Sequence, residues 1–176
     1  MQKITGIGIT YPEGYEPDTF NPDTYESYRY VIGKRGKNPL VAVCMNPSAA
    51  RDTISDRKVN RVIQASIDFN YDGWFVVNVY PERATDANML DEYSDTYVES
   101  NVKAVRALLH DYKIREVWGA WGNLKYKQLS QGRDALLKML QEEKVKVFTF
   151  HINKSGNPRH PLYLKIQKEN KEYLKE

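Results

Sequence analysis

Residues 40–61, LVAVCMNPSAARDTISDRKVNR, predict a buried strand that leads through a polar loop into a helix. The apolar run at 40–44 does not alternate with polar residues, which is typical of a parallel strand covered on both faces. Such sheets bind ligands at the carboxyl ends of their strands. Asn46 and Ser48 follow this strand at once. They begin a ligand site or form an ordinary turn, because Asn, Pro and Ser are also the usual turn residues.

The composition predicts one folded domain that lies outside the membrane. The chain has 176 residues, of which 41% are hydrophobic, and its apolar runs are too short to span a bilayer. We expect an N-terminal arm at 1–27, a core at 28–164 and a helical tail at 165–176. The N-terminus lacks the pattern of a secretory signal, so a cytoplasmic location is expected. The single cysteine, Cys44, and three scattered histidines predict no metal and no cofactor.

Four apolar segments alternate with segments of helical spacing. Strands are predicted at 40–44, 73–81, 117–122 and 145–150, an edge strand at 27–35 and a short strand at 4–10; helices are predicted at 59–67, from 98 to 109 and at 124–140. This order predicts an α/β fold, a three-layer α/β/α sandwich whose central four-stranded sheet is mainly parallel and carries the N-terminal edge strand. Ser55 or Asp56 is placed to cap the first helix.

Polar residues follow three of the four central strands. Asn46, Asn78 and His160 would therefore meet at the carboxyl edge of the sheet. Burying Asn78 costs free energy unless its amide is paired, so this side chain secures a loop or contacts a ligand. Tyr28, Arg29 and Tyr30 would stack on that ligand and hold it, or would pack at the sheet edge.

Short motifs resemble a bacterial and phage family of unknown function. They are N-P-S-x-A at 46–50, A-W-G at 120–122, R-H-P-L-Y at 159–163 and the earlier Y-R-Y at 28–30. The resemblance covers residues 28–164.

A more distant resemblance is to the uracil-DNA glycosylase superfamily, and within it to the mismatch-directed branch. It rests on Asn46-Pro47, on Asn60-Arg61, on Asn78 at a strand end and on His160-Pro161. The resemblance implies the glycosylase-like sandwich and hydrolysis of an N-glycosidic bond. Asn46 would hold the water, Asn78 would contact the base, and His160 would donate to the leaving base or hold a phosphate.

Two departures weaken the catalytic part of that resemblance. Cys44 replaces a glycine and Leu162 a serine of the superfamily motifs. The loop also lacks an acid directly after the first strand, and an amide cannot accept a proton from water. Asp52 and Asp56 are the nearest carboxylates that would serve instead.

The resemblance and the predicted edge of the sheet together define a set of candidate residues. Substrate-binding candidates are Pro47, Ser48, Asn60, Asn78, Tyr28, Tyr30 and Trp121; phosphate-binding candidates are Arg51, Arg57, Arg61, Lys154 and Arg159. The net charge of +3 permits contact with phosphate without requiring it, so the expected partner is DNA, with its base flipped out, or a nucleotide. A non-catalytic module that binds nucleotide or nucleic acid is the alternative, and a purely structural protein is a third.

Overall fold

The structure is a computed structural model that describes residues 9–175, and these residues form an α/β fold. The sheet has seven strands, and three α-helices accompany it. The strands are β1 (Thr19–Asn21), β2 (Val31–Lys34), β3 (Pro39–Cys44), β4 (Gly73–Asn78), β5 (Glu116–Gly119), β6 (Lys146–Thr149) and β7 (Glu172–Tyr173). The helices are α1 (Arg57–Asp68), α2 (Asp95–Asp111) and α3 (Lys127–Glu142).

The strands lie in the order β1-β2-β4-β3-β5-β6-β7. The four central strands are parallel, whereas β2 and β7 pair antiparallel with their inner neighbours and β1 pairs antiparallel with β2. Every residue of β3 and β4 is buried, as their continuous apolar runs predicted. The α/β class is confirmed, and the sheet is larger and more mixed than the predicted one.

The edges of the sheet differ from the prediction. The predicted edge strand at 27–35 is β2, and it is not at the edge because the three-residue β1 pairs outside it. The predicted tail helix at 165–176 is replaced by a 3₁₀ turn at Lys168–Asn170 and by β7. Pairing with β7 satisfies the backbone groups of β6 at that edge, which would have no hydrogen-bond partner on that side if the tail were a helix. Of the strand predicted at 4–10, residues 4–8 lie outside the described residues, and Ile9 forms a single bridge with Ser55.

Helices cover both faces of the sheet. Val41 and Val43 of β3 face the cluster that contains α2 and α3, while Leu40, Ala42 and Cys44 face α1. This alternation follows from the two-residue period of a strand. Within residues 9–175, no helix is long and apolar enough to cross a membrane.

The loop after β3 is tied to the beginning of α1. Asp56 is the N-cap of α1, and its Oδ1 accepts a hydrogen bond from the Val59 amide at 2.8 Å. Its Oδ2 accepts from Ser48 Oγ at 3.1 Å and from the Ala50 amide at 3.3 Å. The helix therefore begins against the loop that carries Asn46, and its position determines the shape of this edge of the sheet.

Candidate functional site

The segments that follow β3 and β4 stay paired beyond the strand ends. The amides of Val79 and Tyr80 donate to the carbonyls of Cys44 and Met45 at 2.9 and 3.3 Å. The Ala84 amide donates to the carbonyl of Pro47 at 3.0 Å. These bonds hold the carboxyl ends of both strands in one rigid edge.

Asn46 is buried in this edge and uses its amide nitrogen to hold the neighbouring loop. Only 6% of the residue is exposed. Its Nδ2 donates to the carbonyls of Glu82 at 3.1 Å and Ala84 at 3.0 Å, with a longer contact of 3.3 Å to Pro47. Because the nitrogen is committed, Oδ1 is the part of this amide that remains for a ligand or a water.

Lys58 lies against the same peptide. It is buried in the first turn of α1, and its Nζ donates to the carbonyl of Asn46 at 3.0 Å. It forms no salt bridge with the residues that the structure describes. A buried ammonium without a carboxylate partner makes the surroundings of Asn46 electropositive.

His160 presents a neutral imidazole beside Lys58. It caps the 3₁₀ helix Pro161–Tyr163, where the Leu162 amide donates to Nδ1 at 3.2 Å. Burial, together with the positive charge of Lys58, lowers the pKa of His160 to about 4, although Asp56 opposes the shift. At neutral pH the ring carries one proton, and because Nδ1 accepts a hydrogen bond the proton is on Nε2. His160 is therefore a hydrogen-bond donor.

Arg61 holds the His160 segment onto α1 through backbone carbonyls. Arg61 Nε donates to the carbonyl of Pro161 at 3.2 Å, and its Nη2 donates to the carbonyl of Leu164. This contact joins residues about a hundred positions apart in the chain, and it keeps His160 close to the start of α1.

An open cleft of about 770 Å³ lies at this edge, and we call it the edge cleft. Its lining residues come from the loops after β3, β5 and β6: Met45, Gly122, Asn123, Asn153, Lys154, Arg159, His160, Leu162 and Tyr163. Gly122 has φ +71°, and a Cβ there would lie 3.1 Å from that of His160. Glycine thus permits both the turn and the close approach of the histidine.

The predicted catalytic residues occupy different places. His160 lines the edge cleft, whereas Asn46 follows the cleft-lining Met45 in the chain, does not line the cleft itself, and contacts Lys58 through its carbonyl. Asp56 is the helix cap described above. Asp52 is exposed and lines another cavity. The structure thus brings His160, Lys58 and the Asn46 peptide together and leaves Asp52 apart.

Asn78 lies beneath the edge. It is completely buried, and neither of its carboxamide atoms has a partner among the described residues. Its backbone carbonyl accepts from Asn101 Nδ2 at 2.8 Å. The structure does not bring its side chain to the surface of the edge cleft, and contact with a base stays a prediction.

The other predicted substrate-binding residues make contacts within the protein. Ser48 binds Asp56, and Pro47 is buried. Asn60 donates to the Thr10 carbonyl at 3.0 Å and accepts from Ser55 at 2.6 Å.

The predicted aromatic platforms also pack against other side chains: Tyr28 and Tyr30 are half-buried, and Trp121 is buried. Tyr28 packs on Tyr30 and Tyr97, with ring centroids 5.4 and 5.6 Å away. Trp121 is in the core, and its Nε1 donates to Asn157 at 2.9 Å.

The five predicted phosphate-binding residues are spread along the edge. Lys154 and Arg159 line the edge cleft, and Arg159 Nε donates to Asn153 at 2.9 Å. Arg57 is exposed at the first position of α1. Arg61 is engaged by backbone carbonyls, and Arg51 lines a separate cavity.

Lys58 and Arg83 were missed by the sequence interpretation. Lys58 lies four residues before Val62 on the buried side of α1, and this spacing was a usable signal. Arg29 was predicted to contact a ligand or to pack at the sheet edge between two tyrosines; it is buried, and nothing in the sequence predicted that burial. Burial of these cations follows from how the loops pack.

Metal binding has no candidate in the described part of the chain. Within residues 9–175 no three His, Cys, Asp or Glu side chains come close enough to hold an ion. Cys44 is fully buried, and burial raises the pKa of its thiol to about 11. The thiol is therefore protonated and behaves as a small apolar group.

Comparison with known proteins assigns the chain to a family. No curated protein and no solved structure is detectably similar to the chain. The family model described as "Protein of unknown function (DUF1643)" matches residues 29–162. These include β2 to β6, Asn46, His160 and every residue that lines the edge cleft except Tyr163. The chain therefore belongs to the DUF1643 family.

Proposed function

We propose that the edge cleft binds a nucleobase, in DNA or in a nucleotide, and that the protein hydrolyses its N-glycosidic bond. The observation that carries this proposal is His160, a neutral donor on the wall of the cleft with the buried Lys58 behind it. A donor in that position suits an oxygen on which negative charge develops.

The reaction separates charge in a way that these residues can stabilise. The bond between C1′ and the base nitrogen breaks, and the base leaves with the electron pair. A water oxygen forms the new bond to C1′ and loses a proton to the base or to solvent. His160 Nε2–H donates to the base oxygen, and the ammonium of Lys58 lowers the energy of the departing anion. Asn46 Oδ1 orients the water.

The fold supports the same proposal. Four adjacent parallel strands with helices on both faces suit the glycosylase-like three-layer sandwich that the distant resemblance implies. A cytoplasmic location is part of the proposal, because the one cysteine is buried and no disulfide holds the described residues.

Binding without hydrolysis is the second candidate, and one observation favours it. The residues that line the edge cleft include no carboxylate within the described part of the chain, and Asn46 cannot accept a proton. A cleft with cations and a neutral histidine would then hold a base or nucleotide without a group that activates water.

A substrate panel separates the two candidates. The protein is incubated with single-stranded and double-stranded oligonucleotides and with nucleotides that carry uracil or other modified bases, and free base is measured by mass spectrometry. We expect base release from at least one substrate, and DNA binding that weakens as salt increases. Saturable binding without any release would support the second candidate. The absence of both binding and release would contradict both candidates.

A further inference from the structure

A second cavity at the carboxyl edge contains an unneutralised group of arginines. This arginine cavity has a volume of about 350 Å³ and is lined by Arg29, Arg51 and Arg83, with Phe20 from β1 and Tyr25 from the segment between β1 and β2. It shares no lining residue with the edge cleft.

Arg29 is the most deeply buried of the three arginines. Only 2% of it is exposed, and its Nη1 donates to the carbonyl of Ala50. Its Nε and Nη2 are buried without a partner among the described residues. Burial and the nearby charge of Arg83 lower the pKa of Arg29 to about 10, so the group stays charged at neutral pH. A buried guanidinium with unpaired donors is costly unless an anion offsets its charge.

Arg83 and Arg51 are held at one wall of the cavity by Tyr25. The guanidinium carbon of Arg83 lies 4.1 Å from the centre of the Tyr25 ring, and that of Arg51 lies 5.8 Å from it. Arg83 also donates to the carbonyls of Glu26 at 2.7 Å and Ser48 at 3.1 Å. Stacking and carbonyl contacts fix these cations without neutralising them.

The acidic residues of the cavity leave the positive charge in excess. Asp23 and Asp52 line it, but neither forms a salt bridge with an arginine in the part of the chain that the structure describes. Asp56 lies close enough to influence Arg29, and its oxygens already accept three hydrogen bonds. Three arginines therefore face two exposed carboxylates that do not contact them.

We propose that the arginine cavity binds a phosphomonoester, the terminal phosphate of a nucleotide or of a nucleic acid strand. Guanidinium groups match phosphate oxygens in geometry, and a phosphomonoester has close to two negative charges at neutral pH, which suits three cations better than a single carboxylate does. A volume in the range of ordinary small-ligand pockets admits the phosphate together with part of its organic group. The proposal does not depend on hydrolysis at the edge cleft.

Calorimetric titration at constant ionic strength tests the proposal. The probes are deoxyuridine 5′-monophosphate, deoxyuridine, inorganic phosphate, and one oligonucleotide with or without a 5′-phosphate. We expect the phosphate-bearing probes to bind at least tenfold more tightly than their phosphate-free partners. Tight binding of the mononucleotide alone assigns the site to free nucleotides, and tight binding of the phosphorylated oligonucleotide assigns it to strand ends.

Arg51→Gln is the informative variant because Arg51 is exposed and its only hydrogen bonds among the described residues use its backbone. It should weaken phosphate binding about fivefold to tenfold. Arg115→Gln removes the same charge from an exposed position at the opposite end of β5 and should have no effect. Base release by the parent protein on the substrate panel reports the edge cleft, whereas the difference between Arg51→Gln and Arg115→Gln in phosphate affinity reports the arginine cavity, so failure here is distinct from failure of the hydrolysis proposal. Equal binding of nucleotide and nucleoside, equal weakening by both arginine variants, or no phosphate binding at 10 mM would overturn the proposal; 10 mM is roughly the weak limit of specific sites.

Discussion

Replacing His160 with alanine is expected to slow base release by at least about a hundredfold, which is the usual effect of removing one donor to a developing anion. The cause is loss of the Nε2–H donor, whose position depends on the contact between Nδ1 and the Leu162 amide. Binding of the substrate should change much less than the rate, because the oxygen gains most of its charge in the transition state. Single-turnover kinetics on the best substrate of the panel measure both quantities.

His151→Ala is the matched control for that measurement. His151 is an exposed histidine in the same connection between β6 and the edge cleft, and it does not line the cleft. Its substitution should leave the rate within about twofold, since surface substitutions rarely perturb a fold. A His160→Ala rate close to that of the parent protein would remove His160 from the reaction.

Replacing Asn46 with alanine is expected to lower the free energy of unfolding by about 2–4 kcal/mol. The substitution removes the Nδ2 contacts to the carbonyls of Glu82, which is buried, and Ala84, which is half-buried, and both acceptors lose this partner. Urea unfolding followed by tryptophan fluorescence gives the value. Loss of base release in this variant would therefore combine a structural effect with any effect on the water.

Asn170→Ala serves as the control for this stability measurement. Asn170 is exposed, and its side-chain amide makes only a 3.4 Å contact with the side chain of Gln167. The expected change is within about 0.5 kcal/mol, as for other surface substitutions. If Asn46→Ala also changed stability by less than 1 kcal/mol, the proposed clamp on the neighbouring loop would be wrong; 1 kcal/mol is about the net value of one hydrogen bond.

The central strands could be predicted because burial on both faces leaves a strong signal. The runs that became β3 and β4 contain no polar alternation, and both are completely buried. The short β1 and β7 have no comparable signal. They form because β2 and β6 offer unpaired backbone groups, which is a tertiary effect.

The site could be predicted in part. His160 reaches the edge because loops after parallel strands meet there. Asn78 was placed on the same edge, yet a two-residue period puts its side chain on the face of Trp74 and Val76, which α1 covers. That period was available from the sequence. The burial of Lys58 beside the Asn46 carbonyl depends on how the loop folds onto α1 and was not evident from residue types.

Long-range proton–nitrogen NMR spectra of the histidine rings test the assignment of the edge cleft most directly. They report, at pH 7, which ring nitrogen of His160 carries a proton, with and without uracil, which has no phosphate for the arginine cavity to bind. We predict a neutral ring with its proton on Nε2, and a shift of that signal when ligand is added, while the His151 signals stay unchanged. A His160 ring that is protonated on Nδ1, or one that does not respond to a ligand that binds, would contradict the account.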